Sequence, residues 1–189
     1  MIVGRKAVFL DRDGVINHSL VRNGVPYAPV VVDDFEVYPG VPGSIGLLKQ
    51  LGFLVIVVTN QPDLATGKQT QASLDLIHQK LNNLCLIDDV KICPHTDAHA
   101  CSCRKPAPGM LLESAQEWGL DLSESYMVGD RWRDVAAGQA AGCKQIFFVD
   151  HGYQEKKPVP PFTLIHSLEE CVQIIMKNEI ISKVSKDIL

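Results

Sequence analysis

The chain has 189 residues, 46% of them apolar and 21% charged, a balance that fits one well-packed domain and argues against disorder. Eighteen basic against 22 acidic side chains leave a net charge of −4 with the basic residues scattered, which disfavours a protein that grips nucleic acid by neutralising phosphates. The first apolar run is broken at Asp11 and no later segment reaches the roughly 18 apolar residues of a membrane span, so no membrane partner and a cytoplasmic location are expected.

Short β-branched and aromatic runs alternate with segments of helical period, the pattern of βα units around a mostly parallel sheet. KAVFL (6–10) is the first predicted strand, and DRDGVIN (11–17) follows it. Asp11 and Asp13 would point to one side if the strand geometry persisted, and two carboxylates so close need a cation or a shared proton to offset their repulsion. A first helix is predicted over 42–52, ending at Gly52, and FLVIVV (53–58) reads as a central strand buried on both faces. Thr59, Asn60 and Gln61 follow that strand and offer a hydroxyl and two amides. From Thr70 a helix places Leu74, Ile77, Leu81 and Leu84 on one stripe.

VKIC (90–93) is the next strand, and CPHTDAHACSCRKP (93–106) follows. Cys93, His95, Cys101 and Cys103 form a Cys3His set of the kind zinc prefers in closed structural sites, with His99 as a competing ligand. Four protein ligands leave no open position for water, so this zinc is expected to fix the loop that carries Arg104 and Lys105 and not to perform chemistry. Cys85, Cys143 and Cys171 stand alone and read as small buried hydrophobes.

A helix over 108–119, a strand at SYMV (125–128), a small-residue-rich helix over 131–142 and a strand at QIFFV (145–149) complete five predicted strands. GDRWRD (129–134) supplies Asp130 and Asp134; Asp130 reads either as a site carboxylate or as a plain helix N-cap. Trp118 and Trp132 read as packing residues. The last helix opens with Ser167 and Glu170 in capping-box spacing, buries Leu168, Val172 and Ile175, and is expected to fray toward Lys186. The proline-rich segment 151–161 is a connection within one domain, because too little chain follows it to form a second core. Ligands of a parallel sheet bind at the C-terminal strand ends, and those ends collect carboxylates, a hydroxyl, amides and a lysine, the inventory for phosphoryl transfer with a divalent cation.

FLDRDGVIN, VVTNQ, CRKP and MVGDRWRD, in this order, resemble the four motifs of the haloacid dehalogenase-like phosphohydrolases. The Cys/His cluster between the second and third resembles the branch of the heptose bisphosphate and histidinol phosphatases. The resemblance implies a single Rossmann-like α/β domain over 1–189, with helices on both faces, no large cap and a small zinc-stabilised loop at 93–103. It implies Asp11 as nucleophile and Asp13 as general acid and base, with Mg2+ held by Asp11, the backbone carbonyl of Asp13 and Asp130. Thr59 and Lys105 would hold phosphoryl oxygens, and Asn60, Gln61, Arg104 and Arg131 would contact substrate. Asp134 would orient Lys105 or the metal, and Arg12 would simply be solvated.

The implied activity is hydrolysis of the 7-phosphate of a heptose 1,7-bisphosphate, by a monomer, in the making of a nucleotide-activated heptose. Histidinol phosphate or another small phosphomonoester is the rival substrate, a polynucleotide end is disfavoured by the charge, and a zinc-stabilised binding module is the non-enzymatic alternative. Two departures from the family pattern stand out. Pro62 and Asp63 replace a small pair after the TNQ, and Thr66 stands where an arginine is usual, which should weaken a second-phosphate contact on that side. The inner metal loop is short, as in members linked to the α-anomer. The segment 18–34 would serve as a small recognition element, with Arg22, Asn23 and Tyr27 as candidate sugar contacts and Asn23 read as ordinary loop polarity.

Overall fold

The computed structural model describes residues 4–187. Strands β1 (Ala7–Leu10), β4 (Leu54–Asn60), β5 (Asp89–Cys93), β6 (Tyr126–Gly129), β7 (Gln145–Val149) and β8 (Thr163–Ile165) form one sheet. Its order is β5-β4-β1-β6-β7-β8, and every neighbouring pair is parallel. A separate antiparallel hairpin joins β2 (Leu20–Arg22) and β3 (Val25–Tyr27). The five expected strands are present. The second runs on through Thr59 and Asn60, so those two side chains sit on the strand and not after it.

Alternate residues of the sheet feed two separate cores, as the strand period of two demands. Val8, Leu10, Val55, Val57, Val128 and Phe147 face one side. There they meet Ile45 and Leu48 of α1 (Val41–Gln50), Ile77 and Leu81 of α2 (Gln71–Leu84), and Val172 and Ile175 of α5 (Leu168–Asp187). Phe9, Ile56, Val58, Met127 and Phe148 face the other side, against Met110 and Leu111 of α3 (Gly109–Trp118) and Val135 and Ala137 of α4 (Trp132–Ala141). Gly138 shows why α4 is rich in small residues: a Cβ there would lie 2.9 Å from atoms of both Met127 and Ile146. Leu84 leaves the expected stripe and is 48% exposed, because it is the last helical residue before the chain turns at Cys85.

Helix boundaries follow local chemistry. The Thr70 hydroxyl accepts from the Ser73 amide, the Ser167 hydroxyl accepts from the Glu170 amide, and the expected last helix runs to Asp187. Asp130 is not the cap of α4: Arg131 holds that position, and the Asp134 carboxylate reaches back to accept from the Arg131 amide at 2.9 Å. Two pieces of β-structure were not foreseen. Strand β8 has only three residues and follows a proline-rich stretch, while the β2–β3 hairpin turns on Asn23 and Gly24, both with positive φ. Asn-Gly between short extended runs is the strongest short-range hairpin signal, and it stands in the sequence between Leu20-Val21-Arg22 and Val25-Pro26-Tyr27. Among the described residues no helix is long and apolar enough to cross a membrane.

Candidate active site

The strand order reverses between β1 and β6, and the crevice beyond their C-terminal ends is where open α/β sheets bind ligands. Asp11 follows β1 and Asp130 follows β6. Their carboxylates gather with that of Asp134, one oxygen from each lying within 4.8 Å of the others. All three side chains are buried. Lys105, also buried, donates to Asp11 at 2.7 Å and to the Val58 carbonyl at 2.7 Å, and pairs with Asp134 at 2.6 Å. Burial would lower the Lys105 ammonium, but the charges of Asp11 and Asp134 outweigh it and hold the group protonated. Burial raises the Asp11 carboxyl to about 6, against the pull of Lys105 and with the push of Asp134 and Asp13. It also raises Asp130 well above the ordinary carboxylate range, with Asp11 and Asp134 adding to the effect.

Three buried carboxylates against one lysine leave an excess of negative charge that burial makes costly. Asp134 is fully engaged by Lys105 and the Arg131 amide, whereas both oxygens of Asp130 are buried without a well-formed hydrogen bond, with the Tyr153 hydroxyl nearby. An all-oxygen donor set with two orphaned carboxylate oxygens fits a divalent cation of the magnesium type. Gly14 belongs to this arrangement: its φ is +92°, and a Cβ there would fall 1.8 Å from an oxygen of Asp130.

Asp13 faces away from the acidic cluster. Its carboxylate accepts from Arg12 Nε at 3.1 Å and Nη2 at 3.0 Å, from Asn17 at 3.0 Å and from Gln61 at 2.9 Å. Two expectations are corrected here. Arg12 is fully buried, not solvated, with Nη1 against His78 Nε2 at 3.1 Å and its guanidinium over the Phe35 ring. Burial and the Arg12 charge push His78 down to about 4, so it is neutral and can accept from Arg12. Gln61 is fully buried beneath Asp13, not at the substrate: its amide donates to Asp13 and, at 2.8 Å, to the Thr59 hydroxyl oxygen. Arg12→Met should therefore cost roughly 3 kcal/mol of unfolding free energy, because it leaves a largely buried carboxylate unpaired. Urea denaturation reads this directly, and a loss under about 1 kcal/mol would show that Arg12 is dispensable.

Cys93 ends β5, and its sulfur lies 3.6 Å from that of Cys101 and 3.2 Å from that of Cys103. His95 Nδ1 is 3.7 Å from Cys93 and 3.4 Å from Cys103. These spacings are far beyond a disulfide bond of about 2.05 Å and approach the edge, about 3.8 Å, of a tetrahedron with sulfurs about 2.3 Å from its centre. The cluster is thus shaped for zinc. His99 is not part of it: its Nδ1 caps the Asp97–His99 turn, 2.9 Å from the Thr96 hydroxyl. Immediately beyond Cys103, Arg104 donates to the His95 carbonyl at 2.9 Å, and the Lys105 backbone is clamped by Asn60, whose amide accepts from its N–H at 3.1 Å and donates to its carbonyl at 3.0 Å. Asn60, which also borders the pocket, is in part a fastener between β4 and the metal loop.

A family model described as a haloacid dehalogenase-like hydrolase matches residues 22–142. D-glycero-beta-D-manno-heptose-1,7-bisphosphate 7-phosphatase of Escherichia coli K12 is 34% identical over 193 aligned residues, covering 92% of this chain and 95% of that protein. The chain belongs to the haloacid dehalogenase-like hydrolases. The enzyme of the same name from Rhodopseudomonas palustris is 37% identical over 150 residues, covering 73% of this chain and 80% of its own. The crystal structure of D,D-heptose 1,7-bisphosphate phosphatase from B. bronchiseptica, complexed with magnesium and phosphate, superposes with a TM-score of 0.81 at 29% identity over 92% of this chain and 99% of that one. The curated relatives are named for the β-anomer, which goes against the α-anomer suggested by the short inner loop. Loop length sets the metal clamp, whereas an anomer is read by the walls of the pocket.

In this hydrolase the site opens through a pocket of about 270 Å3, with Asp11, Lys105 and Asp134 at its base. Among the described residues no cap domain is inserted after Asp11; instead Val25, Pro26 and Tyr27 of the β2–β3 hairpin form part of the wall. Tyr27 lines the pocket as expected, Arg22 stacks on the Tyr27 ring outside it, and Asn23 serves the turn. Arg131 borders the pocket but is tied to Glu155, a partner with no signal in the sequence. Arg133, on the first turn of α4, also lines it and was not foreseen. The alternation Arg131-Trp132-Arg133 at the start of a helix was the available hint.

Proposed function

We propose that the chain hydrolyses the 7-phosphate of D-glycero-β-D-manno-heptose 1,7-bisphosphate, as a cytoplasmic monomer, through an aspartyl-phosphate on Asp11. The observation that carries the reading is a buried Asp11 at the end of β1 with Lys105 2.7 Å away and Asp130 beside it with both oxygens free, in a chain that aligns with the named heptose enzymes over most of its length.

One Asp11 oxygen attacks phosphorus in line with the departing sugar oxygen. Lys105, the hydroxyl of Thr59 and the backbone around Asp11 face the phosphoryl oxygens; Thr59 already accepts from Gln61, so its own hydrogen is free to donate. The Asp13 carboxylate takes up a proton from the entering substrate phosphate or from solvent, turns from Arg12, Asn17 and Gln61, and gives that proton to the departing oxygen. It then takes a proton from the water that opens the aspartyl-phosphate, which returns Asp11 and releases phosphate. Magnesium, held by the carboxylates of Asp11 and Asp130 and the backbone carbonyl of Asp13, would offset negative charge on the phosphoryl group. Zinc at Cys93, His95, Cys101 and Cys103 would have a structural task.

The test is phosphate release with magnesium present from heptose 1,7-bisphosphate as both anomers, from histidinol phosphate and from simple phosphomonoesters. The β-anomer should lead by at least about tenfold in kcat/KM. Comparable rates on simple esters, or a lead for histidinol phosphate, would remove the substrate assignment and leave the phosphatase.

A further inference from the structure

The charges that border the pocket are unevenly satisfied. Lys105 is spent on Asp11 and Asp134, and Arg131 is spent on Glu155. On the side of the metal loop, however, two arginines share one carboxylate: Asp97 accepts from Arg104 Nε at 2.7 Å and from Arg133 Nη1 and Nη2 at 3.1 and 2.9 Å. The Asp97 side chain is 63% exposed, so this link is easily rearranged. Arg104 is further fixed by the His95 carbonyl through Nη1, and neither bond uses its Nη2. Arg133 is steadied from behind by the Trp132 ring, 4.8 Å from its guanidinium carbon. Across the pocket Asp63 has no ion-pair partner among the described residues, and Thr66 supplies no cation beside it.

We infer that Arg133, joined through Asp97 to Arg104, extends the substrate contact already implied for Arg104 into a seat for the second phosphate of a bisphosphorylated sugar, and that Arg133 is a specificity-determining residue of this chain. The inference rests on the function proposed above. An anion entering the pocket meets surplus positive charge only on this side and is repelled by Asp63 on the other. Two planar guanidinium groups present forked donors that match phosphate oxygens, and Asp97 holds them in register until the anion replaces or joins it. The seat also couples recognition to the zinc loop, since Asp97 and the His95 carbonyl both belong to that loop.

The experiment measures kcat/KM for heptose 1,7-bisphosphate and heptose 7-phosphate with the parent protein, Arg133→Gln and Asp97→Asn. The parent should prefer the bisphosphate, and Arg133→Gln should shrink that preference roughly tenfold, chiefly through KM, because a charge-assisted contact made alike in ground and transition states is lost. Asp97→Asn, which frees both guanidinium groups of their shared charge, should lower KM for the bisphosphate. A preference unchanged in Arg133→Gln, with both substrates falling together, overturns the seat. If the parent does not turn over heptose 1,7-bisphosphate, the proposed function fails. The seat is then read from the same ratio on fructose 1,6-bisphosphate and fructose 6-phosphate, and no turnover of that bisphosphate, or no preference for it, overturns the seat as well.

Discussion

Asp11→Asn is expected to lower kcat by on the order of 10^4-fold or more, with phosphate release from any substrate falling alike, because the group that would form the bond to phosphorus is gone. The same change should not harm the fold. Asparagine keeps an oxygen for the Lys105 ammonium, and it removes one of three buried carboxylates that crowd within 4.8 Å. Burial and mutual repulsion hold Asp11 and Asp130 above the ordinary carboxylate range, so the acidic cluster stores unfavourable energy when no cation is bound. In chelator, Asp11→Asn should therefore melt at the same temperature as the parent or above it. Loss of activity together with a lower melting temperature would mean that Asp11 serves the fold and would withdraw the nucleophile assignment.

Removing the metal from the Cys93, His95, Cys101 and Cys103 clamp is the second large effect. Cys103→Ser, or chelation followed by return of magnesium alone, should reduce kcat/KM on the order of a hundredfold and lower the melting temperature. The reason is adjacency: Lys105 lies two residues beyond Cys103, and its ammonium must meet Asp11 and Asp134 within a fraction of an ångström. The Asn60 clamp on the Lys105 backbone limits the damage, which is why the expected loss is smaller than for Asp11→Asn. Full activity in protein shown by metal analysis to lack zinc would separate the clamp from the reaction. Activity regained on adding zinc to chelated protein, but not to Cys103→Ser, would tie the two together.

The parallel sheet and its two cores were legible because each central strand is a continuous apolar run that water cannot share, and because the residues after each strand are polar in a way the core cannot use. Asp11, Asp130 and Lys105 were readable for that reason. What the sequence did not disclose depends on distance through space. Arg12 looks like a surface residue beside two aspartates, yet the core folds over it, with Phe35 and His78 arriving from segments far along the chain. Gln61 reads as a loop amide but is covered because β4 extends past Thr59 and its backbone N–H bonds to the Cys93 carbonyl. Arg133 sits inside the fourth motif with no role attached to it and Glu155 belongs to no motif, and only the packing of α4 and the segment after β7 beside the zinc loop and pocket gives them a place. The Asn-Gly turn of the hairpin was visible in the letters; its position over the pocket was not.

Because β1 lies in the interior of the sheet with Ala7–Leu10 wholly buried, the part of the molecule that carries Asp11 opens to solvent only when the whole domain does. Tyr27, Arg104 and Arg133 stand instead on a two-stranded hairpin, a metal-pinned loop and a helix tip. Bond-breaking parts and substrate-reading parts thus differ in how much of the protein must change when they do. A lineage could exchange one phosphorylated compound for another by editing the outer three pieces, while the machinery for cleaving the ester stayed under the protection of the fold.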